Sequence, residues 1–195
     1  MAAIVPEKKQ RILEAAARLF RDKGYPATSM RDLAKAVNLK ASSLYNHISS
    51  KEEILQEICL TNARRFRQGM QDVRELNEGV EKKVEALIRL HINIATQDIT
   101  SVISFNDEWR HLSEPFLSTF RDMRRDYEEA FLLLIRHGQK EGLFKPGDPN
   151  VFLYTILSAV RWLYDWYEEG KRLTAADLEA QLIPMLMDGL QADRP

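Results

Sequence analysis

The chain has 195 residues, of which 45% are hydrophobic and 29% are charged, and its formal net charge is -1. This length and composition predict a chain that is folded throughout, with one or two domains, and exclude a disordered protein. The single cysteine, Cys59, and four scattered histidines predict no internal disulfide, no metal site and no cofactor. No signal-peptide pattern and no membrane-length apolar stretch occur, so we expect a soluble, cytoplasmic protein.

The charge is distributed unevenly along the chain. Residues 1–51 carry ten basic and four acidic side chains, a net charge of +6, whereas residues 52–195 carry 18 basic and 25 acidic side chains, a net charge of -7. A basic head on an acidic body is the electrostatic pattern of a DNA-binding module attached to a part that does not touch DNA. We therefore predict a DNA-binding domain at 1–51 and a second domain at 52–195, with 52–76 as the connecting helix.

Apolar residues recur at helical spacing through nearly the whole chain, and no run alternates with period two for long enough to be a strand. This pattern predicts an all-α fold. Nine helices are expected, at about 7–23, 30–37, 40–47, 51–76, 84–94, 99–113, 115–141, 149–169 and 175–190.

Residues 24–53 are typical of a helix-turn-helix. Ser29, with Asp32 three residues later, is the N-terminal signature of a short helix. Asn38 follows that helix and enters the left-handed conformation at low cost, as a sharp turn between crossed helices requires. The next helix, 40–47, is too short to be stable alone, so packing on its neighbours must hold it.

Several elements of this segment resemble, in order and spacing, the DNA-binding signature of the TetR/AcrR family of bacterial transcription regulators. The elements are Gly24-Tyr25, Thr28-Ser29, Arg31-Asp32-Leu33-Ala34, Leu44-Tyr45-Asn46-His47 and Ser50-Lys51-Glu52. The resemblance covers about residues 8–58 and departs from the family at Asn38, where Gly is usual. It implies a homodimeric repressor of the bacterial cytoplasm and nucleoid that is released from double-stranded operator DNA by a small-molecule effector.

The resemblance also implies where DNA is bound. Nine residues are expected to contact it: Arg31, Lys40, Ala41, Ser42, Ser43, Tyr45, Asn46, His47 and Lys51. Of these, Ala41, Ser42 and Ser43 would face base edges, Arg31 would reach a guanine or a phosphate, and the others would hold the backbone. The positive charge of Lys51 is unfavourable at the N-terminus of the helix that it begins, so a phosphate bound nearby would account for a lysine at this position. The alternative is a solvated lysine with no role in binding.

The family resemblance places the dimer interface on the last two long helices, which form a four-helix bundle across a two-fold axis. The sequence supports this, because residues 151–167 are apolar on every side and must be covered from more than one direction. On the ninth helix an apolar stripe is available for the same purpose. It consists of Leu178, Leu182, Met185, Leu186 and Gly189.

Aromatic and basic side chains on the sixth and eighth helices predict an effector site. The residues are Trp109, Arg110, His111, Arg161, Trp162 and Trp166. By analogy with family members that sense fatty-acid or sterol-ring breakdown, the expected effector is an acyl-CoA or related lipophilic acid. The alternative is a drug-like compound acting on a repressor of an efflux system, which Asp107, Glu108 or Asp165 facing the cavity would favour.

Three further alternatives stay open at this point. Glu108 and His111 form an E-x-x-H, half of a di-iron motif, but no second copy exists, so we predict that the protein is not an enzyme. His91, on an apolar helical face, is either a core histidine or an effector contact. A DNA-binding protein without inducer switching would lack an effector pocket.

Overall fold

The computed structural model describes residues 7–167 and 172–192. Within them the chain forms nine α-helices and one 3₁₀ turn, which confirms the all-α prediction. The elements are α1 (Glu7–Lys23), α2 (Met30–Ala36), α3 (Ala41–Tyr45), α4 (Lys51–Glu75), α5 (Val80–Gln97), α6 (Ile99–Asp107), η1 (Trp109–His111), α7 (Phe116–Lys140), α8 (Pro149–Trp166) and α9 (Ala175–Leu190). Among the described residues, no helix is long and apolar enough to span a membrane.

The largest difference from the predicted boundaries is at the end of the sixth helix. The sixth helix ends at Asp107 and is followed by η1, whereas the sequence predicted one helix to residue 113. Near its end, Asn106 Nδ2 donates to the carbonyl oxygen of Val102 at 2.9 Å, a side-chain bond that competes with the helical ladder. The predicted end of the eighth helix, at residue 169, lies outside the described residues.

The local signals at the helix ends have the predicted geometry. The Ser29 hydroxyl accepts from the N–H of Asp32, while the Asp32 carboxylate accepts from the N–H of Ser29, which forms a capping box at the start of α2. Asn38 adopts a φ of 53°, the left-handed conformation that the turn requires. These two signals fix where α2 begins and where the chain turns towards α3.

The chain packs as two compact units, which differ from the predicted division at residue 51. The first unit contains residues 7–63 and 100–122, and the second contains 64–99 and 123–192 apart from 168–171. α4 and α7 therefore each contribute to both units. The first unit holds α6 and η1 as well as α1, α2 and α3.

In the first unit, small side chains let α6 approach α1 and α4 closely. Ala16 and Ala17 of α1 are buried. The hydroxyl of Ser104, which has no exposed surface, donates to the carbonyl oxygen of Ala17 at 3.2 Å. Asn62 Nδ2 of α4 donates to Ser101 Oγ of α6 at 2.7 Å. α6 is therefore fixed to two helices of the first unit by hydrogen bonds that water cannot easily replace.

In the second unit, the core is formed by apolar faces of α5, α7, α8 and α9, together with Phe144. Gly138 of α7 allows this ring to pack, because a Cβ at that position would lie 2.2 Å from the Phe144 ring. The segment after α7 is then tied to the end of α9, where the N–H of Lys145 donates to the carbonyl oxygen of Leu190 at 2.8 Å.

A polar pair lies within the second unit. His91 Nε2 of α5 is 2.8 Å from the Tyr127 hydroxyl of α7, and the His91 ring packs 4.7 Å from the ring of Phe66. Burial lowers the pKa of His91 to about 4 and raises the pKa of Tyr127, so both side chains are uncharged at neutral pH. His91 has the packing and hydrogen bond that the core interpretation expects.

Candidate DNA-binding interface

Buried apolar side chains hold the short helix α3 against the rest of the first unit. It contains only five residues, yet Leu44 has no exposed surface and Ile48, just after it, is 1% exposed. These two side chains pack into the core of the first unit together with Leu33 of α2. Tertiary packing therefore stabilises a helix that would not form by itself.

The opposite face of α2 and α3 is open to solvent. Eight of the nine predicted DNA contacts are exposed or partly exposed around α3: Arg31, Lys40, Ala41, Ser42, Ser43, Tyr45, Asn46 and His47. Tyr45, a large aromatic side chain, is 52% exposed. This face offers hydroxyl, amide, ammonium and guanidinium donors, which are the groups that bind phosphates and base edges in the major groove.

Lys51, the ninth predicted contact, is engaged within the protein. Its ammonium donates to the carbonyl oxygens of Tyr25 and Thr28, each at 2.7 Å, and to that of Pro26 at 3.4 Å. It also lies 4.2 Å from the centre of the Tyr25 ring. An ammonium group has three donors, and in this structure all three are directed at backbone carbonyl oxygens of the link between α1 and α2. The phosphate contact that the sequence predicts for Lys51 stays a prediction.

Three of the predicted effector residues lie in the first unit, where each has contacts. The Trp109 ring stacks on Phe120, with centroids 5.4 Å apart, and the Arg110 guanidinium lies 4.7 Å from the Trp109 ring centre. The His111 ring stacks on the Tyr25 ring at 5.4 Å. Tyr25 belongs to the link between α1 and α2, so His111 contacts the helix-turn-helix.

The other three predicted effector residues lie on α8 in the second unit. Trp162 and Trp166 are in contact, with ring centroids 5.4 Å apart, which confirms that they share a face of the helix. Their exposed fractions are 63% and 39%, and Arg161 is also exposed. Neighbouring large aromatic side chains with such exposure are typical of a binding surface.

The two residues of the E-x-x-H, Glu108 and His111, lie close together in the structure. Glu108 Oε2 and His111 Nε2 are 3.4 Å apart. Among residues 7–167 and 172–192, no third histidine, cysteine or acidic residue joins them in a group that could hold a metal. Glu108 Oε1 instead accepts the backbone N–H of Tyr25 at 3.1 Å. Sequence reasoning missed this contact because 83 residues separate the two partners.

Two family models match the chain, one over the helix-turn-helix segment and one over the helices that follow α4. The model described as bacterial regulatory proteins of the tetR family matches residues 12–58, and the model described as the tetracyclin repressor-like C-terminal domain matches residues 77–190. The second match alone covers more than half of the chain. The chain belongs to the TetR family. Its α2 and α3 are accordingly the helix-turn-helix of a DNA-binding regulator.

TetR-family relatives cover nearly the full length of the chain. The HTH-type transcriptional repressor KstR2 of Mycobacterium tuberculosis is 24% identical over 192 residues, which cover 97% of this chain and 96% of that protein. The solved structure of that ketosteroid regulator matches with a TM-score of 0.91, over 98% of this chain and 99% of the other. AibR, solved in complex with isovaleryl coenzyme A and operator DNA, is 28% identical and matches with a TM-score of 0.78, over 93% and 98%. These matches confirm the predicted TetR fold.

Proposed function

We propose that this TetR-family protein is a homodimeric repressor that leaves its operator when it binds an acyl-CoA or related lipophilic acid. The observation that carries the proposal is the open face of α2 and α3, where eight side chains suited to DNA surround a helix packed firmly from the other side. The net charge of +6 in residues 1–51 supports an approach to DNA.

The operator can be identified by selection from a random pool of DNA duplexes, with the purified full-length protein as the bait. We expect an inverted repeat whose half-sites lie about one helical turn, roughly 34–36 Å, apart. A single short helix reads too few base pairs to find one site in a genome, so two must act together. Selection of no sequence, or of an unrepeated one, would contradict the proposal.

Variants on the open face should separate backbone contacts from base contacts. Lys40→Ala should weaken binding to the selected and to a random duplex by similar factors, and lower the salt slope by about 1. Ser42→Ala should weaken binding to the selected duplex more. Gel-shift titrations at two salt concentrations measure both effects. Lys82→Ala, an exposed lysine of α5, is the control and should change neither.

The proposed dimer interface is the uncovered face of α8 and α9 in the second unit. Met185 of α9 is 68% exposed, and Val151 at the start of α8 is 63% exposed. A second copy of the chain is the proposed partner, since two-fold pairing buries the same apolar residues on both chains. Leu178 of the predicted stripe is instead buried within its own chain.

The proposed effector site uses Arg161, Trp162 and Trp166 of α8 in the second unit. The effector contacts that the sequence predicts for Trp109, Arg110 and His111, which lie in the first unit, stay a prediction. An exposed guanidinium and two exposed indole rings on the last two turns of α8 suit a ligand that combines phosphate groups with flat or apolar parts, as a CoA thioester does. The complex of AibR with isovaleryl coenzyme A supports this class of ligand for a relative of this chain.

Acyl-CoA thioesters should release the protein from its selected operator, and operator DNA should weaken their binding by the same factor. Coupling of this kind is typically about 1–3 kcal/mol, or roughly 5- to 150-fold. Calorimetry of isovaleryl-CoA and longer acyl-CoAs, with and without operator, measures it directly. We expect Trp166→Ala to leave operator affinity near normal and to reduce release.

Free CoA and the free acids are the matched controls for the thioester, since each carries only one part of the ligand. Equal affinities for every acyl-CoA with and without operator would mean that these ligands do not regulate DNA binding. The repressor would then have another effector or none.

A further inference from the structure

The short link between α1 and α2, residues 24–28, is held from two sides. On one side, Glu108 Oε1 accepts the backbone N–H of Tyr25 at 3.1 Å. On the other side, the Lys51 ammonium donates to the carbonyl oxygens of Tyr25 and Thr28. One residue of the link is therefore bonded through its N–H to a carboxylate and through its C=O to an ammonium, and charged partners make both bonds strong.

The ring of Tyr25 is also held. It stacks on the His111 ring with an interplanar angle of 23°, and it packs edge-on against Phe20 of α1 at 5.2 Å. Glu108 itself is 14% exposed, and its second oxygen lies 3.4 Å from His111 Nε2. Glu108 and His111 thus act on both the backbone and the side chain of Tyr25 from one short segment.

This link determines where α2 starts. Thr28 immediately precedes the N-cap of α2, its side chain is buried, and its hydroxyl donates to the carbonyl oxygen of Gly24 at 2.9 Å. Gly24 ends α1 with a φ of +81°, a conformation that leaves no helical continuation. A shift of the Gly24–Tyr25 peptide would consequently move the N-terminus of α2, and α2 packs directly on α3.

We propose that Glu108 and His111 are positioning residues for operator recognition, which act by holding Tyr25 and thereby orienting α2 and α3. The inference rests on the proposed DNA-binding function and extends it to two residues outside the helix-turn-helix. This role of His111 is separate from the effector contact predicted from the sequence.

The test compares Glu108→Ala with Glu108→Gln in the full-length protein. Alanine leaves the partly buried N–H of Tyr25 without an acceptor, whereas glutamine keeps an oxygen of the same reach. We expect Glu108→Ala to reduce the ratio of operator affinity to random-duplex affinity by about tenfold, and Glu108→Gln to restore most of it. His111→Ala should lower the same ratio by a smaller factor, and His111→Phe, which retains a ring for stacking, should restore it.

Glu114→Ala is the matched control. The Glu114 carboxylate also accepts a backbone N–H, that of Ser118 at 3.1 Å, in the same compact unit, but its hydrogen bonds among the described residues are to Ser118 and not to the helix-turn-helix. It should lower thermal stability without changing the affinity ratio. Melting curves of all variants, recorded before the titrations, show that each is folded at the temperature of measurement.

The outcomes are distinguishable. If the wild-type protein shows no preference for any duplex, the proposed DNA-binding function fails before the variants are considered. If the wild type is selective and folded Glu108→Ala keeps the full affinity ratio, or Glu108→Gln loses as much as alanine, the positioning role is wrong while the DNA-binding function stands.

Discussion

We expect Met185→Glu to convert the protein into a folded monomer whose operator affinity is lower by at least about a thousandfold. Met185 is 68% exposed on α9, so a glutamate there should cost the isolated chain little stability. Across the proposed two-fold interface, however, it would bury two carboxylates without partners. Sedimentation analysis would give the oligomeric state, and gel-shift titration with the selected operator would give the affinity.

Leu76→Glu is the control for Met185→Glu, because it also places a glutamate at an exposed apolar position. Leu76 is 41% exposed just after α4, outside the proposed interface, and its variant should stay dimeric with unchanged operator affinity. Leu182 and Leu186 are less suitable targets, because both are partly covered within their own chain and their substitution would also disturb folding. A monomeric Met185→Glu protein with full operator affinity would show that dimerisation is not required for recognition.

Acid should destabilise the protein by about 3 kcal/mol through His91 alone. Burial lowers the pKa of His91 from 6.5 to about 4 in the folded state. Between these two pH values the unfolded chain is protonated at His91 and the folded chain is not. The contribution to the free energy of unfolding is thus complete above pH 6.5. It falls by about 1.4 kcal/mol per pH unit and is lost by about pH 4.

His91→Gln isolates this effect, because an amide can still bond to the Tyr127 hydroxyl but does not titrate. The difference in free energy of unfolding between wild type and variant should be constant above pH 6.5 and shift by about 3 kcal/mol in favour of the variant by pH 4. Urea titrations at one protein concentration measure it. If the difference in free energy of unfolding between wild type and His91→Gln does not vary with pH, the pKa of His91 is not lowered by folding.

The sequence determined the order of the helices and the position of the helix-turn-helix. The capping box of Ser29 with Asp32 and the left-handed turn at Asn38 each depend on residues no more than a few positions apart, and both are present in the structure. The charge difference between the two parts of the chain is likewise a property of composition. Such signals act locally, so they can be read before the chain is folded.

Only the tertiary structure decided which apolar residues are covered. Leu178 and Met185 lie on the same helix and in the same predicted stripe, yet Leu178 is 2% exposed and Met185 is 68% exposed. Helical periodicity gives the angle of a side chain around its own axis. It does not give the direction of the neighbouring helix, which depends on how α5 packs against α9.

The partners of the charged residues also came from the tertiary structure alone. Lys51 donates to three carbonyl groups from a segment about 25 residues earlier, which the argument from the helix dipole did not predict. Glu108 reaches Tyr25 across 83 residues of sequence. Burial of the apolar faces brings such distant groups together, and the hydrogen bonds then form between whichever polar groups that packing leaves adjacent.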